Sequence, residues 1–477
     1  MIKIFSILNL GLTIEKSDKK TNQALINMER KTLMFGFKKL GFTHVPHRKN
    51  TKDFKAVTYV PREVLLPTVQ HIGAPAVPTV KVGDAVKIGD LVAEAGGFVS
   101  APIYATVSGK VSKIEEYLRP DGKRVPAIRI ESDGLMEKAD VTPPSFRDLD
   151  GLIDAIRASG IVGLGGAGFP TSVKLAAAKK GNITTLVLNG AECEPYITSD
   201  TRAMLESADL IHEGIELLLT YVASLKNVFI GIENNKPKCI AHLSEKLADI
   251  DAVQVVPLPS LYPQGAEKVL IYNTTGIVVT EGALPADHGV LVINVSTLAE
   301  LMKYIKTGMP LVERTFTVDG SAVSEPKNVN APIGTAISEI LEFVGVEEEN
   351  IGKVLYGGPM MGIAVCYLSE PIIKTTNAIT VLTEKDAKSA EPTACIHCGR
   401  CIAACPLHLN PTGYAKALNI DNKEDRIERL EQTKVNLCME CGCCSFVCPA
   451  SRPLVQNNRI AKAQVREYKS HQATLAK

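Results

Sequence analysis

Short apolar runs separated by Gly-Asp turns characterise residues 57–130. Two of these runs end at Gly83-Asp84 and at Gly89-Asp90, and β-branched residues are frequent within them. Runs of this kind, bounded by glycine turns, are typical of β-strands and hairpins. Two strand-turn-strand halves therefore predict a small β-sandwich over residues 41–137.

A different pattern, in which helical and strand-like segments alternate, follows the break at Thr142-Pro143-Pro144 and extends to about residue 305. Such alternation is typical of an α/β domain with a largely parallel sheet. We therefore predict a Rossmann-like α/β domain over residues 138–310. The predicted helices are 149–158, 171–179, 203–223 and 238–248, and the predicted strands include 184–189 and 228–232.

Shorter segments complete the predicted organisation. A strand with a turn at 316–320 and a helix at 334–344 predict a small α+β module over residues 311–385. Residues 386–455 contain two cysteine runs and a charged helix at 423–432, and residues 456–477 are predicted to form a polar, helical tail. The first 40 residues are predicted to be a poorly ordered N-terminal extension.

Composition narrows the possible functions. The chain has 477 residues and a formal net charge of +1, with acidic and basic residues interspersed. It therefore offers no basic field for nucleic acid and no polybasic patch for a membrane surface. The longest apolar stretches, such as 271–279, are much shorter than the roughly 20 residues that cross a bilayer. We expect a multidomain protein whose membrane role, if it has one, is peripheral.

Eight cysteines near the C-terminus fall twice into the same frame, C-x2-C-x2-C-x3-C-P. That spacing is typical of bacterial two-cluster ferredoxins, in which the fourth cysteine of each run ligates the other cluster. The sequence therefore predicts two [4Fe-4S] clusters and one-electron transfer. With this crossover, one ligand set is Cys395, Cys398, Cys401 and Cys448, and the other is Cys438, Cys441, Cys444 and Cys405.

Other uses of the cysteines leave features of the sequence unexplained. Structural zinc would need two C-x2-C pairs per ion, which leaves the fourth cysteine and the proline of each run without a role. Disulfides would need an oxidising compartment, and the N-terminal segment lacks the cleavage site of a secretory signal. Cys443 is predicted to be a buried filler, Cys239 and Cys366 core residues, and Cys193 a small spacer, with redox chemistry as its alternative.

The segment Gly163-Leu-Gly165-Gly-Ala-Gly168 matches G-x-G-x-x-G, but a helix precedes it where the dinucleotide fingerprint has a strand. A glycine-rich turn that opens into a helix at Pro170 still lets backbone N–H groups approach an anion closely. The loop is therefore predicted to hold a flat cofactor with a phosphate. A purely structural helix-to-helix turn is the alternative.

A second polar segment, Asn189-Gly-Ala-Glu192-Cys-Glu194-Pro-Tyr196, directly follows the predicted strand at 184–189. Ligands of α/β domains bind at the carboxyl ends of the strands. The amide and the two carboxylates are therefore predicted to lie at a binding site.

These motifs give the chain a resemblance to known families. The glycine loop with Lys174, the Asn-x-x-Glu-x-Glu-Pro segment and Tyr262-Pro-Gln-Gly-Ala-Glu-Lys268 resemble the FMN and NADH site of the 51-kDa flavoprotein subunit of respiratory complex I. The full order of segments, including Gln70-His-Ile-Gly-Ala-Pro75, resembles the C subunit of the Rnf electron transport family over about residues 40–455. That resemblance implies a barrel-sandwich hybrid domain, a flavoprotein domain, a β-grasp (SLBB-like) module and a mostly helical two-cluster ferredoxin domain.

The β-sandwich also resembles lipoyl and biotinyl carrier domains, which carry a modified lysine on a hairpin. No lysine occurs between Lys87 and Lys110, so a docking or scaffold role is expected instead.

Carried over to the matching positions, the complex I resemblance implies a set of cofactor-binding residues. The chain departs from that pattern at Leu164, Ala191 and Ala266, where the pattern has an arginine, an aspartate and an acid. Gly163, Gly165, Ala167, Asn189 and Glu192 would line FMN, Asn294 and Thr297 would hold its phosphate, and Phe169, Lys174 and Glu267 would face NAD(H).

The Rnf resemblance implies a peripheral subunit of a membrane-bound, ion-translocating ferredoxin:NAD+ oxidoreductase, at the cytoplasmic face of the cell membrane. Its implied partners are the other subunits of that complex, ferredoxin indirectly, and NAD(H) as substrate, with no nucleic acid. Two alternatives stay open from the sequence. One is a soluble cobalamin reductase of the propanediol-utilisation type, and the other is a cluster-binding electron-transfer scaffold that binds no nucleotide.

Overall fold

The computed structural model describes residues 41–120 and 122–475, and the extension predicted for residues 1–40 lies outside the described residues. The described chain folds into a β-sandwich, an α/β domain, a β-grasp module and a helical cysteine module, in the order that the sequence predicts. The mixed α/β class is therefore confirmed.

The β-sandwich buries alternate residues of its strands between two small antiparallel sheets. Val64, Val92, Val111 and Ile128 have no exposed surface there. Its strands are β2 (Glu63–Pro67), β3 (Val77–Pro78), β4 (Ala85–Val86), β5 (Leu91–Glu94), β6 (Ile103–Tyr104), β7 (Gly109–Leu118) and β8 (Arg124–Ser132). The strand orders are β2-β8-β7-β4 and β3-β5-β6. The first described strand, β1 (Val57–Thr58), joins the β-grasp sheet instead.

The α/β domain is built on a parallel sheet whose strands are continuous apolar runs, as expected for a sheet buried on both faces. The strands are β9 (Thr185–Gly190), β10 (Asn227–Glu233), β11 (Val253–Leu258) and β12 (Val290–Asn294). The helices are α1 (Leu149–Ala158), α2 (Thr171–Ala176), α3 (Ser199–Glu206), α4 (Ala208–Tyr221), α5 (Pro237–Lys246), α6 (Glu267–Thr275) and α7 (Val295–Thr307), with short 3-10 turns at Ala177–Lys180 and Pro285–His288. The strand order is β11-β10-β9-β12, so β9 is central and its carboxyl end lies in the middle of one sheet edge.

One predicted helix differs from the structure. The segment predicted as a single helix over 203–223 is two helices, α3 and α4, separated at Ser207, whose φ of −120° and ψ of 26° lie outside the helical region. Because Met204, Ala208 and Ile211 are all buried, the apolar pattern continues across the break. Hydrophobic periodicity alone therefore could not reveal it.

The β-grasp module packs one helix on a mixed sheet. Phe316, Ile340 and Ile379 are completely buried between them. Its elements are β13 (Glu313–Asp319), β14 (Lys327–Pro332), α8 (Ile337–Phe343), a 3-10 turn (Glu348–Asn350), β15 (Lys353–Tyr356), β16 (Ile363–Ala364) and β17 (Ala378–Leu382). The strand order is β1-β14-β13-β17-β15-β16.

The cysteine module is mostly helical, and the C-terminal helix is part of its core. Ala461 and Val465 have no exposed surface and pack against Tyr414 and Leu430. The segment predicted as a polar tail is thus a helix whose apolar face closes this module. The helices are α9 (Glu384–Ala387), α10 (Arg400–Ala403), α11 (Pro411–Ala417), α12 (Lys423–Gln432), α13 (Cys443–Phe446) and α14 (Leu454–Leu475), with a 3-10 turn at Val435–Leu437.

A buried lysine joins three of the modules. The Lys374 ammonium of the β-grasp module donates to the carbonyl of Pro102 in the β-sandwich (2.6 Å) and to the carbonyl of Gly160 in the α/β domain (2.8 Å). The Lys374 amide also donates to Oε1 of Gln70 (3.1 Å). Burial lowers the pKa of Lys374 to about 7. The modules therefore meet through specific polar contacts just beside the glycine loop.

Replacing Val465 by aspartate should destabilise the cysteine module, because a carboxylate in an apolar core has no partner and costs several kcal/mol, on the order of 3–5. The matched control is Ala463→Asp, which places the same charge on the exposed face of α14. Iron content and thermal unfolding of the anaerobically purified protein check this. Loss of iron in the Val465→Asp variant alone is expected, and equal behaviour of the two variants would contradict the packing described.

Candidate functional site

The glycine loop, residues 163–169, connects α1 to α2 and closes on itself. The Gly163 amide donates to the Phe169 carbonyl (2.9 Å), and the buried Leu164 amide donates to Oγ1 of Thr297 (2.9 Å). The residues between them, 165–167, are exposed. The loop is thus anchored at both ends and leaves its glycine-rich middle open to a ligand.

The amino end of α7 lies against this open part of the loop. Asn294 caps the helix, with Oδ1 accepting from the Thr297 amide (3.1 Å). A Cβ atom on Gly165 would lie 2.6 Å from Nδ2 of Asn294, so only glycine allows this approach. A glycine turn facing a helix amino end is a typical anion site. The structure therefore brings Gly165, Asn294 and Thr297 together in an arrangement that fits a phosphate.

Asp200 orients the Asn294 side chain, and no sequence pattern predicts this role. Its carboxylate accepts from Nδ2 of Asn294 (2.8 Å) and from Oγ of Ser296 (2.5 Å), and burial raises its pKa. These bonds turn Oδ1 of Asn294 towards the helix. No local motif marks Asp200, because its partners are more than 90 residues away in the chain.

The acidic loop, residues 191–198, follows β9 and packs on the segment that begins at Tyr262. Nδ2 of Asn189 donates to the carbonyl of Gly265 (2.9 Å). The carboxylate of Glu192 accepts from the Asp200 amide and from Oγ1 of Thr201, both at 2.7 Å, and burial raises its pKa to about 7. The Glu192 carboxylate, predicted to line the cofactor, thus accepts hydrogen bonds at the start of α3. Asn189 lies at the carboxyl end of the central strand.

Lys174 and Glu267 form an ion pair beside strand β12. The Lys174 ammonium lies 2.9 Å from Oε1 of Glu267 and 2.9 Å from the carbonyl of Val292. Their side chains are 34% and 42% exposed, respectively. Phe169, at the end of the glycine loop, is half-buried. The structure thus brings together the two charged residues predicted to face NAD(H), and leaves both accessible.

The β-sandwich contacts the glycine loop directly through the Gln70-His-Ile-Gly-Ala-Pro75 segment. The Ile72 amide donates to the Gly168 carbonyl (3.2 Å), and a Cβ atom on Gly168 would lie 3.3 Å from Cα of His71. Tyr104, in the same domain, donates to the Ala158 carbonyl at the end of α1. The β-sandwich, which has no lysine between Lys87 and Lys110, therefore supports the loop.

The eight predicted ligands gather around two cavities, each lined by four of them. A cavity of about 100 Å³ is lined by the outer cysteine set, which is Cys395, Cys398, Cys401 and Cys448. A second cavity of about 20 Å³ is lined by the inner cysteine set, which is Cys405, Cys438, Cys441 and Cys444, and also by Cys443. The grouping is the crossover predicted from the spacing. Four thiols line each of the two cavities, and four thiolates are the donor set that a cubane cluster takes.

The two cysteine sets differ in their surroundings. Cys398 of the outer cysteine set is exposed, and Ile396 and Ile402 beside it are exposed large apolar residues. Cys441 of the inner cysteine set is buried, and its carbonyl accepts from the Tyr262 hydroxyl (2.7 Å). The inner cysteine set therefore faces the acidic loop and the outer cysteine set faces solvent.

Glu194 connects the acidic loop to the β-grasp module and to Tyr262 of its own α/β domain. Its carboxylate accepts from the amides of Met360 (3.0 Å) and Met361 (2.7 Å) in the β-grasp module and from the Tyr262 hydroxyl (3.4 Å). Burial raises its pKa, although the amide bonds oppose that shift. Sequence reasoning predicts a binding site at this strand end but no role for Glu194 itself, because its partners lie on a distant loop.

The remaining cysteines follow the predictions with one exception. Cys193, Cys239 and Cys443 are buried, and burial raises the pKa of Cys193 to about 12, which suits a spacer. Cys366, predicted to be a core residue, is exposed. It lies in a turn where its amide donates to Oε1 of Glu370 (2.8 Å), so the apolar neighbours in the sequence did not indicate burial.

This fold and these sites define an iron–sulfur flavoprotein, and comparison with known families agrees. Four family models match consecutive parts of the chain. They are a RnfC barrel sandwich hybrid domain (residues 38–135), a Nuo51 FMN-binding domain (156–303), an SLBB domain (315–364) and a 4Fe-4S dicluster domain (391–462). FMN and two [4Fe-4S] clusters are therefore confirmed as the cofactors of its domains.

The relatives identify the family. The C subunit of the proton-translocating ferredoxin:NAD+ oxidoreductase complex of Clostridium ljungdahlii is 43% identical over 375 residues, which cover 77% of this chain and 82% of the relative. The C subunit of the Na+-translocating complex of Acetobacterium woodii is 40% identical over 435 residues, which cover 89% and 96%. The C subunit of the ion-translocating oxidoreductase complex of Pseudomonas aeruginosa is 43% identical over 409 residues, which cover 84% of this chain and 52% of the relative. The chain belongs to the RnfC family, the C subunits of the ion-translocating Rnf complexes.

Replacing Thr297 by valine should weaken FMN binding about ten-fold, because it leaves the buried Leu164 amide without an acceptor, at a cost of about 1–3 kcal/mol. The glycine loop then loses one of its two anchors. The control is Thr220→Val, which removes an exposed helical hydroxyl far along the chain. FMN titration of flavin-depleted protein, followed by fluorescence, measures both. Unchanged affinity in the Thr297→Val variant would show that the anchor does not support the site.

Proposed function

We propose that this chain is the peripheral subunit through which a membrane-bound, ion-translocating ferredoxin:NAD+ oxidoreductase passes electrons between two [4Fe-4S] clusters, FMN and NAD(H). The observation that carries the proposal is the meeting of the acidic loop with the inner cysteine set. Tyr262 donates to the carbonyl of Cys441, and Glu194 and Cys193 of the acidic loop lie beside Tyr262. A cofactor held at the carboxyl end of β9 would therefore lie next to one cysteine set.

FMN, when bound, exchanges a hydride with nicotinamide and single electrons with iron–sulfur clusters, so a flavin is the group that such a chain needs between the two. The chain's own residues bind and orient it. The glycine loop and the amino end of α7 would hold the phosphate, and Asn189 would lie at the strand end beside the ring system.

NAD(H) would be bound by residues on the exposed side of the same site. Lys174 offers a cation to a phosphate, Glu267 offers an acceptor to a ribose or amide group, and Phe169 offers an aromatic face. In the structure Lys174 and Glu267 pair with each other at 2.9 Å. A bound dinucleotide would replace part of that pairing with its own groups.

The position of the outer cysteine set suits contact with a partner protein. Its cavity lies at the surface, with exposed Ile396 and Ile402 around it. We infer that other subunits of the complex reach the chain here and that ferredoxin acts through them. The inner cysteine set, which touches the acidic loop, would lie between this surface and the flavin.

Among residues 41–120 and 122–475, no helix combines the length and apolar character that a bilayer crossing requires. We propose that the chain associates with the membrane as a peripheral subunit at its cytoplasmic face, held by the other subunits.

The cobalamin reductase alternative is disfavoured by the RnfC barrel sandwich match at residues 38–135 and by the three relatives described above, each of which is named as the C subunit of an oxidoreductase complex.

Replacing Lys174 by alanine should raise the apparent KM for NADH about ten-fold, because a charged contact to the dinucleotide is worth about 1.5–3 kcal/mol and is partly exposed here. FMN content should stay unchanged, since Lys174 does not contact Gly165, Asn294 or Thr297, the residues that fit a phosphate. The matched control is Lys180→Ala, an exposed lysine in the 3-10 turn that follows α2. NADH-dependent reduction of ferricyanide gives KM, and absorbance after denaturation gives flavin content. Loss of flavin with an unchanged KM would reverse the roles assigned to Lys174 and the loop.

A further inference from the structure

Residues 41–53, here called the strap, precede the β-sandwich but do not enter its sheets. The first strand of the sandwich, β2, begins at Glu63, and the short β1 joins the β-grasp sheet. The strap instead runs along the junction between the cysteine module, the acidic loop and the β-grasp module. Its contacts can be followed from one end to the other.

At its first end the strap contacts the backbone that carries two cluster ligands. The Gly41 amide donates to the carbonyl of Ala403 (2.7 Å), between Cys401 and Cys405. Gly41 has a φ of +94°, and a Cβ atom there would lie 2.8 Å from Cα of Pro406. Only glycine permits both this conformation and this approach.

In its middle the strap fills the gap between the acidic loop and the inner cysteine set. Thr43 pairs with Tyr262 as an isolated bridge, with amide-to-carbonyl distances of 2.8 and 2.9 Å. The Val45 side chain is 5% exposed. It belongs to an apolar cluster with Cys193 of the acidic loop, Tyr262, and Cys441 and Cys443 of the cysteine module, together with Ala404.

Near its far end, at Arg48 and Lys49, the strap binds the acidic loop. The Lys49 ammonium donates to the carbonyls of Glu192 (2.8 Å), Glu194 (2.7 Å) and Ile197 (2.6 Å), which uses its full donor capacity. Nη1 of the neighbouring Arg48 donates to the Tyr196 hydroxyl (2.7 Å). The loop has no regular secondary structure, so its buried carbonyls need such donors.

Beyond Lys49 the strap is fixed both to the β-grasp module and to the last residue of the acidic loop. Nδ2 of Asn50 donates to Oδ1 of Asp319 (3.0 Å), and the hydroxyl of Thr51 lies 2.5 Å from the hydroxyl of Thr198. Contacts therefore exist on both sides of Lys49, and the segment between Gly41 and Thr51 spans the whole junction.

We propose that the strap is the positioning element for electron transfer inside this chain. It holds the inner cysteine set at a fixed separation from the acidic loop, and Lys49 and Gly41 are its two positioning residues. This inference rests on the proposed function. The rate of electron transfer falls steeply with separation, so a loosened strap slows transfer between flavin and clusters without removing either cofactor.

The test compares two reactions of the same holoprotein. Each NADH yields NAD+, one proton and two electrons. These electrons reduce two ferricyanide ions at the flavin site, whereas in the opposite direction two reduced clusters supply one electron each to convert NAD+ and a proton to NADH.

In the Lys49→Met variant, NADH-dependent ferricyanide reduction should stay within about two-fold of wild type, while re-oxidation of chemically reduced clusters by NAD+ should slow by about ten-fold or more. The control is Lys55→Met, an exposed lysine just after the strap, which should change neither rate.

A second readout does not depend on activity. Hydrogen–deuterium exchange of the loaded protein should increase at residues 192–197 and 401–406 in the Lys49→Met variant, with iron and flavin content as in wild type. The Gly41→Ala variant should increase exchange at 401–406. Its control is Gly134→Ala, which has the same kind of positive φ (+75°) but nothing within 4 Å of the added Cβ. Gly41→Ala also tests the proposal if Lys49→Met does not fold.

The outcomes separate the possibilities. Slower cluster re-oxidation together with intact ferricyanide reduction supports the proposal, and so does increased exchange confined to residues 192–197 and 401–406. Unchanged re-oxidation, or an equal loss of both reactions with release of flavin, overturns it, because the strap then has no role or only supports the flavin site. Failure of the proposed function itself looks different, since wild-type protein would then show no re-oxidation by NAD+ at all.

Discussion

Satisfying the buried polar groups of the acidic loop is the constraint on which the rest of the structure depends. The loop follows the central strand β9 and has no regular secondary structure, so its carbonyls and carboxylates need donors from elsewhere. Lys49 supplies three bonds to the carbonyls, the amides of Met360 and Met361 bind the carboxylate of Glu194, and Tyr262 reaches from Glu194 to the carbonyl of Cys441. These donors belong to different modules. Satisfying the loop therefore also fixes the modules around it, and this places the carboxyl end of β9 close to the inner cysteine set.

The β-sandwich illustrates how a fold typical of a carrier domain is used here for support. Its segment at Ile72 binds the glycine loop through the Gly168 carbonyl, and its Pro102 carbonyl is held by Lys374 of the β-grasp module. The first contact lies at the end of the loop and the second lies beside Gly160, just before it. A loop with exposed glycines is otherwise free to move, so these contacts reduce the entropy that it would lose on binding a ligand. The sandwich, the β-grasp module and α7 together hold the loop in one conformation.

Local patterns predicted the parts of this protein whose chemistry is local in sequence. The two cysteine runs predicted the grouping of the eight cysteines because they match the run of two-cluster ferredoxins, and the alternation around β9 predicted the parallel sheet. The contacts of Glu194, Asp200 and Lys49 could not be predicted in this way, since their partners are distant in the chain and carry no motif. The role of Glu192 beside FMN stays a prediction, and in the structure its carboxylate accepts hydrogen bonds at the start of α3. Cys366 shows the limit of an apolar neighbourhood as a sign of burial.

The central claim is that the inner cysteine set is the one that communicates with the flavin site. The most direct measurement compares the variants Cys398→Ala and Cys441→Ala, each reduced chemically under anaerobic conditions and then mixed with NAD+ while absorbance and electron paramagnetic resonance follow the remaining cluster. Loss of the outer cluster should leave the inner one rapidly re-oxidised, with one NADH formed from NAD+ and a proton for every two electrons that the reduced flavin and the inner cluster lose, whereas loss of the inner cluster should leave the outer one reduced. Rapid re-oxidation in the Cys441→Ala variant, or none in the Cys398→Ala variant, would contradict this account.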